Sequence, residues 1–390
     1  MIQTIEQLIE QHFEEMVNIR RYLHAHPELS FQEYETANYI ANYYDTLNIP
    51  YERDVGGNGI IATLRGKKPG KTVAFRADFD ALPIQDEKDV PYKSTNDGVM
   101  HACGHDGHTA TLLVLAKVLQ QVQDELPGTA VFLHQHAEEQ TPGGAISIVE
   151  SGKLNDVDVI FGNHLWATSP LGVVETRSGV FMAGTDRFTI EVKGKGGHGA
   201  YPHETKDALV IGASIVNELQ KIVSRKMSPL DTAVVTVGKF SAGSSFNVIA
   251  ETAEMIGTVR YLKKEVQQRV KEEMEQIVSG ICQAHGVDYS FSYAPGYPPV
   301  ENHEKETNLL LEAAKEVEQV KEVTVVEPQM GGEDYAYYLQ RIPGVFFFTG
   351  ARKENHAYPH HHPLFDFDER AMMIAAKVFV HALYRYHERY

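Results

Sequence analysis

Cysteine is nearly absent from this chain of 390 residues. Cys103 and Cys282 are the only two, which rules out a disulfide framework and suits a reducing compartment. Basic residues are in the minority, 36 Lys+Arg against 53 Asp+Glu, for a formal net charge of -17. So acidic a surface repels phosphate backbones and anionic headgroups, and neither nucleic acid nor membrane is expected as a partner. No apolar run approaches the length of about 20 residues that spans a bilayer. The opening MIQTIEQLIEQHFEEM sets acids and amides among its apolar positions. Lacking a basic region ahead of an apolar core, it predicts no signal peptide, and the chain reads as cytoplasmic.

Histidine, by contrast, is plentiful: 19 occur, many in tight clusters. The length exceeds that of a usual single core and predicts two domains. The spacing of Ile5, Leu8, Ile9, Phe13, Met16, Val17 and Ile19 predicts a helix that stops near His26-Pro27. A second covers TANYIANYYDTL. The β-rich runs GIIATLR, TVAFRADFD, GTAVFLHQH, DVIFGNH and LGVVETR then alternate with helical HTATLLVLAKVLQQV and GAISIVESG. That rhythm predicts an α/β sandwich around a largely parallel sheet.

From about Thr185 the order changes. Strand RFTIEVKG, helix DALVIGASIVNELQKIV, strands TAVVTVGKF and AEMIGTVRYL, helix KEVQQRVKEEMEQIVSGICQAHG and strand VDYSFSY follow one another. This is βαββαβ, the ferredoxin-like arrangement. After APGYPP the chain returns to a helix, two strands and a C-terminal helix. The expected organisation is a small domain at 183–293 inserted into a discontinuous one of 1–182 and 294–390.

Chemistry concentrates first in MHACGHDGHTA, residues 100–110. Cys103 and His105 flank one glycine just before an apolar helix, and a tight turn could aim thiolate and imidazole at a single divalent ion. A buried cysteine beside surface histidines, or a nucleophilic Cys–His pair, would leave the same trace. Glu138 and Glu139 end the run VFLHQHAEE. Adjacent acids there point apart, so one can coordinate while its neighbour meets a bound water, although paired acids in a loop are commonly just solvated. DVIFGNH ends on His164, and YPHHHPLF brings His360, His361 and His362. Ligand-type residues thus recur at several strand ends, which in an open α/β sheet converge on one crevice. In RADFDALP, Asp80 could orient a ligand histidine from behind, or Asp78 and Asp80 could be a surface turn. Gly194 to Gly199, GKGGHG, fits a dinucleotide fingerprint but has no acid at the end of a following strand, so a Gly-rich turn presenting His198 and His203 is expected instead.

RADFDALP, HACGHDGHTA, HAEE with GGA, GNH, GKGGHGAYPH, FNVIAETAEMIGTVR, GGEDYAYY and HHPLFDFDE follow one another along nearly the whole chain. Together they resemble the amidohydrolase branch of the aminoacylase-like metallopeptidases, which includes hippurate hydrolases, indole-3-acetyl-amino-acid hydrolases and N-acetyl-diaminopimelate deacetylases. The resemblance implies a metallopeptidase-type α/β catalytic domain with an inserted lid and dimerisation domain, and cleavage of N-acyl amino acids at two divalent ions, manganese, zinc or cobalt. It implies that Cys103 bridges the ions, with His105, Glu139, His164 and His361 as the other ligands and Glu138 as general base. His198 and Asn247 would approach substrate, often from a partner subunit of a homodimer. A dipeptidase or carboxypeptidase is the nearest rival. Those enzymes usually carry an Asp bridge and a ligand histidine where Asp78 stands here. His136, Val180, Ala250 and His362 also depart from residues common in the family, and none of these removes a ligand.

Overall fold

The computed structural model describes residues 1–354 and 358–390 and divides into two compact units. One comprises Met1–Phe181, Val300–Glu327 and Asp334–Tyr390; the other, Met182–Pro299 with Pro328–Glu333. Each has its own hydrophobic core.

The first unit is built on an eight-stranded sheet. Its spatial order is Tyr51–Val55, Gly59–Arg65, Pro127–Gln135, Lys68–Asp78, Val159–Pro170, Gly344–Arg352, Val173–Thr176 and Glu322–Val325. Four central strands, from Pro127–Gln135 to Gly344–Arg352, run parallel. The expected largely parallel sheet is therefore mixed: Tyr51–Val55 and Gly59–Arg65 join antiparallel on one side, and Val173–Thr176 meets Gly344–Arg352 antiparallel on the other. Direction is set by the connections. Three residues join Tyr51–Val55 to Gly59–Arg65, a length that permits a hairpin but no crossover.

The central strands are buried almost throughout, as strands covered on both faces must be. Helix Arg370–Arg389 packs its Phe379 on Phe75 and Phe347, with ring centroids at 5.0 and 5.5 Å. Beside it lies helix His105–Gln121, buried from His105 to Ala116. The opening helix breaks at His12 into Ile2–Gln11 and Phe13–Ala25. The second piece is pinned by Arg20, fully buried, whose Nε donates to Asp106 and Nη2 to Asp366, both at 2.9 Å. A buried pair of this kind is costly to break because the surviving charge stays buried. Here it anchors the first turn of the helix that begins at His105.

The second unit holds a four-stranded antiparallel sheet in the order Ala233–Ala242, Thr252–Tyr261, Gly184–Lys193 and Asp288–Pro295, with helices Ala208–Lys221 and Lys264–His285. This is the βαββαβ order expected. Pairing extends to Pro295 opposite Asp186, and the Gly296 amide still bonds the Thr185 carbonyl. The unit thus continues past residue 293. The Gly194 to Gly199 turn opens no α-helix: Gly197–His198 pairs with Val248–Ile249, a short 3-10 turn spans Pro202–Glu204, and the next α-helix starts at Ala208 under an Asp207 cap.

His134 supplies a stability prediction. Tyr44 donates to its Nε2 at 2.8 Å, and its Nδ1 meets Thr109 Oγ1 at 3.4 Å. Burial pulls its pKa down to about 3. An unfolded histidine titrates near 6.5, so between about pH 6.5 and pH 3 the unfolded chain binds a proton that the native state refuses. Stability should fall as pH drops through that window, by up to about 1.4 kcal/mol per pH unit from this group. Urea midpoints measured across the window check it, with a shallower slope expected for His134→Gln.

Candidate metal centre

Strands Lys68–Asp78 and Pro127–Gln135 end side by side while Val159–Pro170 and Gly344–Arg352 run on, and the chemistry gathers where the first two stop. Lys68–Asp78 pairs with Val159–Pro170 as far as Arg76 opposite Gly162, so His164 emerges just past the last rung. Glu138 and Glu139 follow Pro127–Gln135 on a turn in which Ala137 adopts φ 52, a left-handed conformation rare outside glycine. Two buried carboxylates hold that turn. Glu33 accepts the Ala137 amide at 2.8 Å and Asp80 accepts the Glu139 amide at 2.9 Å. Between Cys103 and His105, Gly104 has φ 98, so a side chain there would strain the turn. His105 opens its helix, and His361, at φ 65, donates its amide to the Ala102 carbonyl at 2.8 Å.

Five residues proposed as ligands converge. Cys103, His105 and His164 form one set whose donor atoms all lie within 4.8 Å of one another; Cys103, Glu139 and His361 form a second that shares the sulfur. Cys103 Sγ lies 3.3 Å from His164 Nε2, and His361 Nε2 lies 3.2 Å from Glu139 Oε1. Glu138 is buried and groups with His105 and Glu139. Asp80 stands behind His105: Nδ1 donates to its Oδ1 at 3.1 Å and to its carbonyl at 3.0 Å. That leaves Nε2 as the atom turned to the centre.

The donors fit divalent ions. Among the described residues His105 Nε2 is buried without a hydrogen-bond partner, although such an atom is costly to leave unpaired, and the buried Glu139 Oε1 meets His361 Nε2 at 3.2 Å. Burial lowers the His105 pKa, but Asp78, Asp80 and Glu139 outweigh it and lift it to about 10. Positive charge is wanted at Nε2. Burial and the carboxylates of Glu139, Glu138 and Asp78 push the Cys103 thiol well above its ordinary value. A cation reverses that balance, because a coordinated thiol is deprotonated outright. His164 donates Nδ1–H to the Leu165 carbonyl at 2.9 Å, so its Nε2 presents a lone pair, and burial keeps the ring neutral.

The sequence reading named Asp78 without its partners and gave no role to His108, Glu33 or Trp166. Asp78 lies 3.6 Å from His105 Nε2 but is engaged elsewhere, by Arg76 Nη1 and His108 Nδ1, both at 2.6 Å. His108 in turn accepts the Leu165 amide at 2.9 Å, which ties the Asp78 strand end to the His164 strand. The spacing of His105 and His108, three apart on one helix, was the available signal. Glu33 had none, being more than a hundred residues from the turn it holds. Trp166, the only tryptophan, stacks on Phe348 at 4.1 Å beside His164. In the second unit, His198 pairs with Val248, next to Asn247, whose carbonyl accepts the Gly199 amide at 2.8 Å.

Thiolate, imidazoles and paired carboxylates at the carboxyl ends of parallel strands are the furnishing of a metal-dependent hydrolase. Comparison with known proteins narrows that class. The chain belongs to peptidase family M20/M25/M40, whose family model matches residues 74–385. It is 57% identical over 378 residues to YhaA of Bacillus subtilis, named as an amidohydrolase, with 96% of each chain covered. It is 46% identical over 307 residues to the N-acyl-L-amino acid amidohydrolase of Geobacillus stearothermophilus, covering 78% of this chain and 82% of that one. Among solved structures, the YXEP protein of Bacillus subtilis, a dinuclear metal-binding peptidase of the M20 family, superposes with a TM-score of 0.83 at 37% identity. That match covers 97% of this chain and 99% of the other.

Proposed function

We propose that the protein hydrolyses the amide bond of small N-acyl amino acids, releasing a carboxylate and a free amino acid. The observation that carries this reading is the adjacent Glu138–Glu139 pair beside two ligand sets joined at Cys103. Cys103, His105, Glu139, His164 and His361 would hold two divalent ions, manganese, zinc or cobalt, with His105 on one and His164 on the other. Such ions supply Lewis acidity and lower the pKa of water towards neutrality. Glu138 takes the proton of the attacking water and delivers it to the leaving amine. Asp80 keeps His105 in the tautomer whose Nε2 faces the centre. His198 and Asn247 are assigned to substrate. The relative named as an N-acyl-L-amino acid amidohydrolase supports the substrate class.

A dipeptidase or carboxypeptidase would use the same pocket. Asp78 weighs against it, since this carboxylate is consumed by Arg76 and His108. The discriminating experiment strips the metal, adds back each ion and screens substrates. N-acetyl and N-benzoyl amino acids with a free carboxylate should turn over, and a ten-residue peptide should be a poor substrate. Efficient trimming of the peptide with no action on the acyl amino acids would overturn the proposal.

The second unit carries more exposed apolar surface than a solvated domain needs. Leu209 and Val210 on one helix, Val234 and Phe240 on the edge strand Ala233–Ala242, and Leu230 and Phe246 are all exposed, Phe246 fully. An unpaired edge strand beside such a face calls for cover. We assign it to a two-fold homodimer, in which the same patch meets itself. Light scattering at micromolar concentration should give twice the 43.6 kDa chain mass, and a monomer with full activity would refute the assignment. Among the described residues no helix is long and apolar enough to cross a membrane. The scarcity of cysteine supports a cytoplasmic location.

A further inference from the structure

Of the three consecutive histidines, His360 has no place in either ligand set. Its ring stands against Trp166 at 4.6 Å, Phe365 at 5.0 Å and His164 at 5.1 Å, which leaves it little freedom to turn. The Ala167 amide donates to its Nε2 at 3.2 Å. An Nε2 that accepts carries no proton, so the neutral ring holds its hydrogen on Nδ1. Nδ1 faces Cys103, 3.8 Å from Sγ, and also faces the Cys103 backbone.

Two imidazoles therefore meet one sulfur with opposite polarity. His164 has spent its N–H on the Leu165 carbonyl and turns a lone pair to the centre at 3.3 Å from Sγ. His360 has had its lone pair taken by Ala167 and turns an N–H to the same atom. A sulfur between two cations still keeps lone pairs to share, and an N–H on one of them fixes its direction and draws density away from it. Hydrogen bonds of this kind are among the levers by which a protein tunes a metal–thiolate site.

We propose that His360 is a positioning residue whose Nδ1–H hydrogen-bonds the Cys103 thiolate, holding it in its bridging orientation and lowering its basicity. The inference rests on Cys103 being a metal ligand.

Cobalt-loaded protein reports on the sulfur directly, through the thiolate-to-cobalt charge-transfer band in the near ultraviolet. Removing the N–H raises the energy of the sulfur electrons, so His360→Leu should shift this band to lower energy. It should also weaken cobalt binding by about 10- to 100-fold, the usual cost of losing an outer partner. His360→Asn has the branched outline of leucine in a smaller side chain but returns an N–H at the Nδ1 position, and should restore both band and affinity. Should circular dichroism show the leucine variant unfolded, His360→Phe is read in its place. A band and affinity unchanged without the donor would overturn the inference and leave the metal centre standing, with the N–H spent on the Cys103 backbone. A wild-type protein that binds cobalt with no such band would remove Cys103 from the ligands, and both proposals would fall.

Discussion

Glu138→Ala is expected to lose turnover by about 10²- to 10⁴-fold, the span of a missing general base, with its metal content intact. The expectation follows from how the turn is held. Glu139 shares a ligand set with Cys103 and His361, and its amide is fastened to Asp80, the same carboxylate that orients His105. Removing the neighbouring side chain leaves those fastenings in place. Ala137 also keeps its left-handed conformation, since its amide bonds to Glu33 and its carbonyl accepts from Gly144. A proton shuttle must sit close to the ions without being consumed by them, and the carboxylate one residue before a ligand can do so. Metal analysis of the purified variant beside its kcat is the measurement. If both ions leave with the side chain, Glu138 is itself a ligand and the role assigned to it is wrong.

Cys103→Ser should lose metal affinity and activity together. Its surroundings argue against the alternative of a nucleophilic cysteine. Reactive cysteines need a depressed pKa, supplied by a nearby cation or an imidazolium. Here burial and three carboxylates drive the thiol the other way, and His164 is kept neutral by burial and by its histidine neighbours. Without a metal the thiolate is scarce; with one, its lone pairs are engaged. Equilibrium dialysis of the serine variant tests the loss of affinity. A rapid-quench experiment that trapped an acyl group on Cys103 would overturn the assignment.

The residues that could ligate a metal were legible because each sits where a local pattern announces it. His164 ends the apolar run DVIFGNH, although its strand continues to Pro170, Glu138 and Glu139 follow a strand, and Cys103 precedes a helix. The alternation of short apolar runs with helices was equally plain, as was the change to βαββαβ after Thr185. Strand direction at the sheet margins was not, since Val173–Thr176 reads alike whether it runs with or against Gly344–Arg352. Nor does the HHH run reveal which ring does what. The structure sets His361 against Glu139, His360 against Cys103, and His362 on Tyr358 with its Nδ1 accepting the Leu364 amide.

Periodicity, turn residues and ligand-type side chains are local properties, and the sequence by itself determined what depends on them: the elements, the two-part organisation and the inventory of donors. Which donors face one point, which carboxylate is spent on Arg76 and which on His105, and that Glu33 and Arg20 hold the site from the N-terminal segment were decided only by tertiary structure. Asp80 lies 25 positions from His105, Glu33 lies 104 from Ala137, and Arg20 lies 86 from Asp106 and 349 from Glu369. Pairings so distant form only when the sheet closes and burial leaves each polar atom no solvent to turn to.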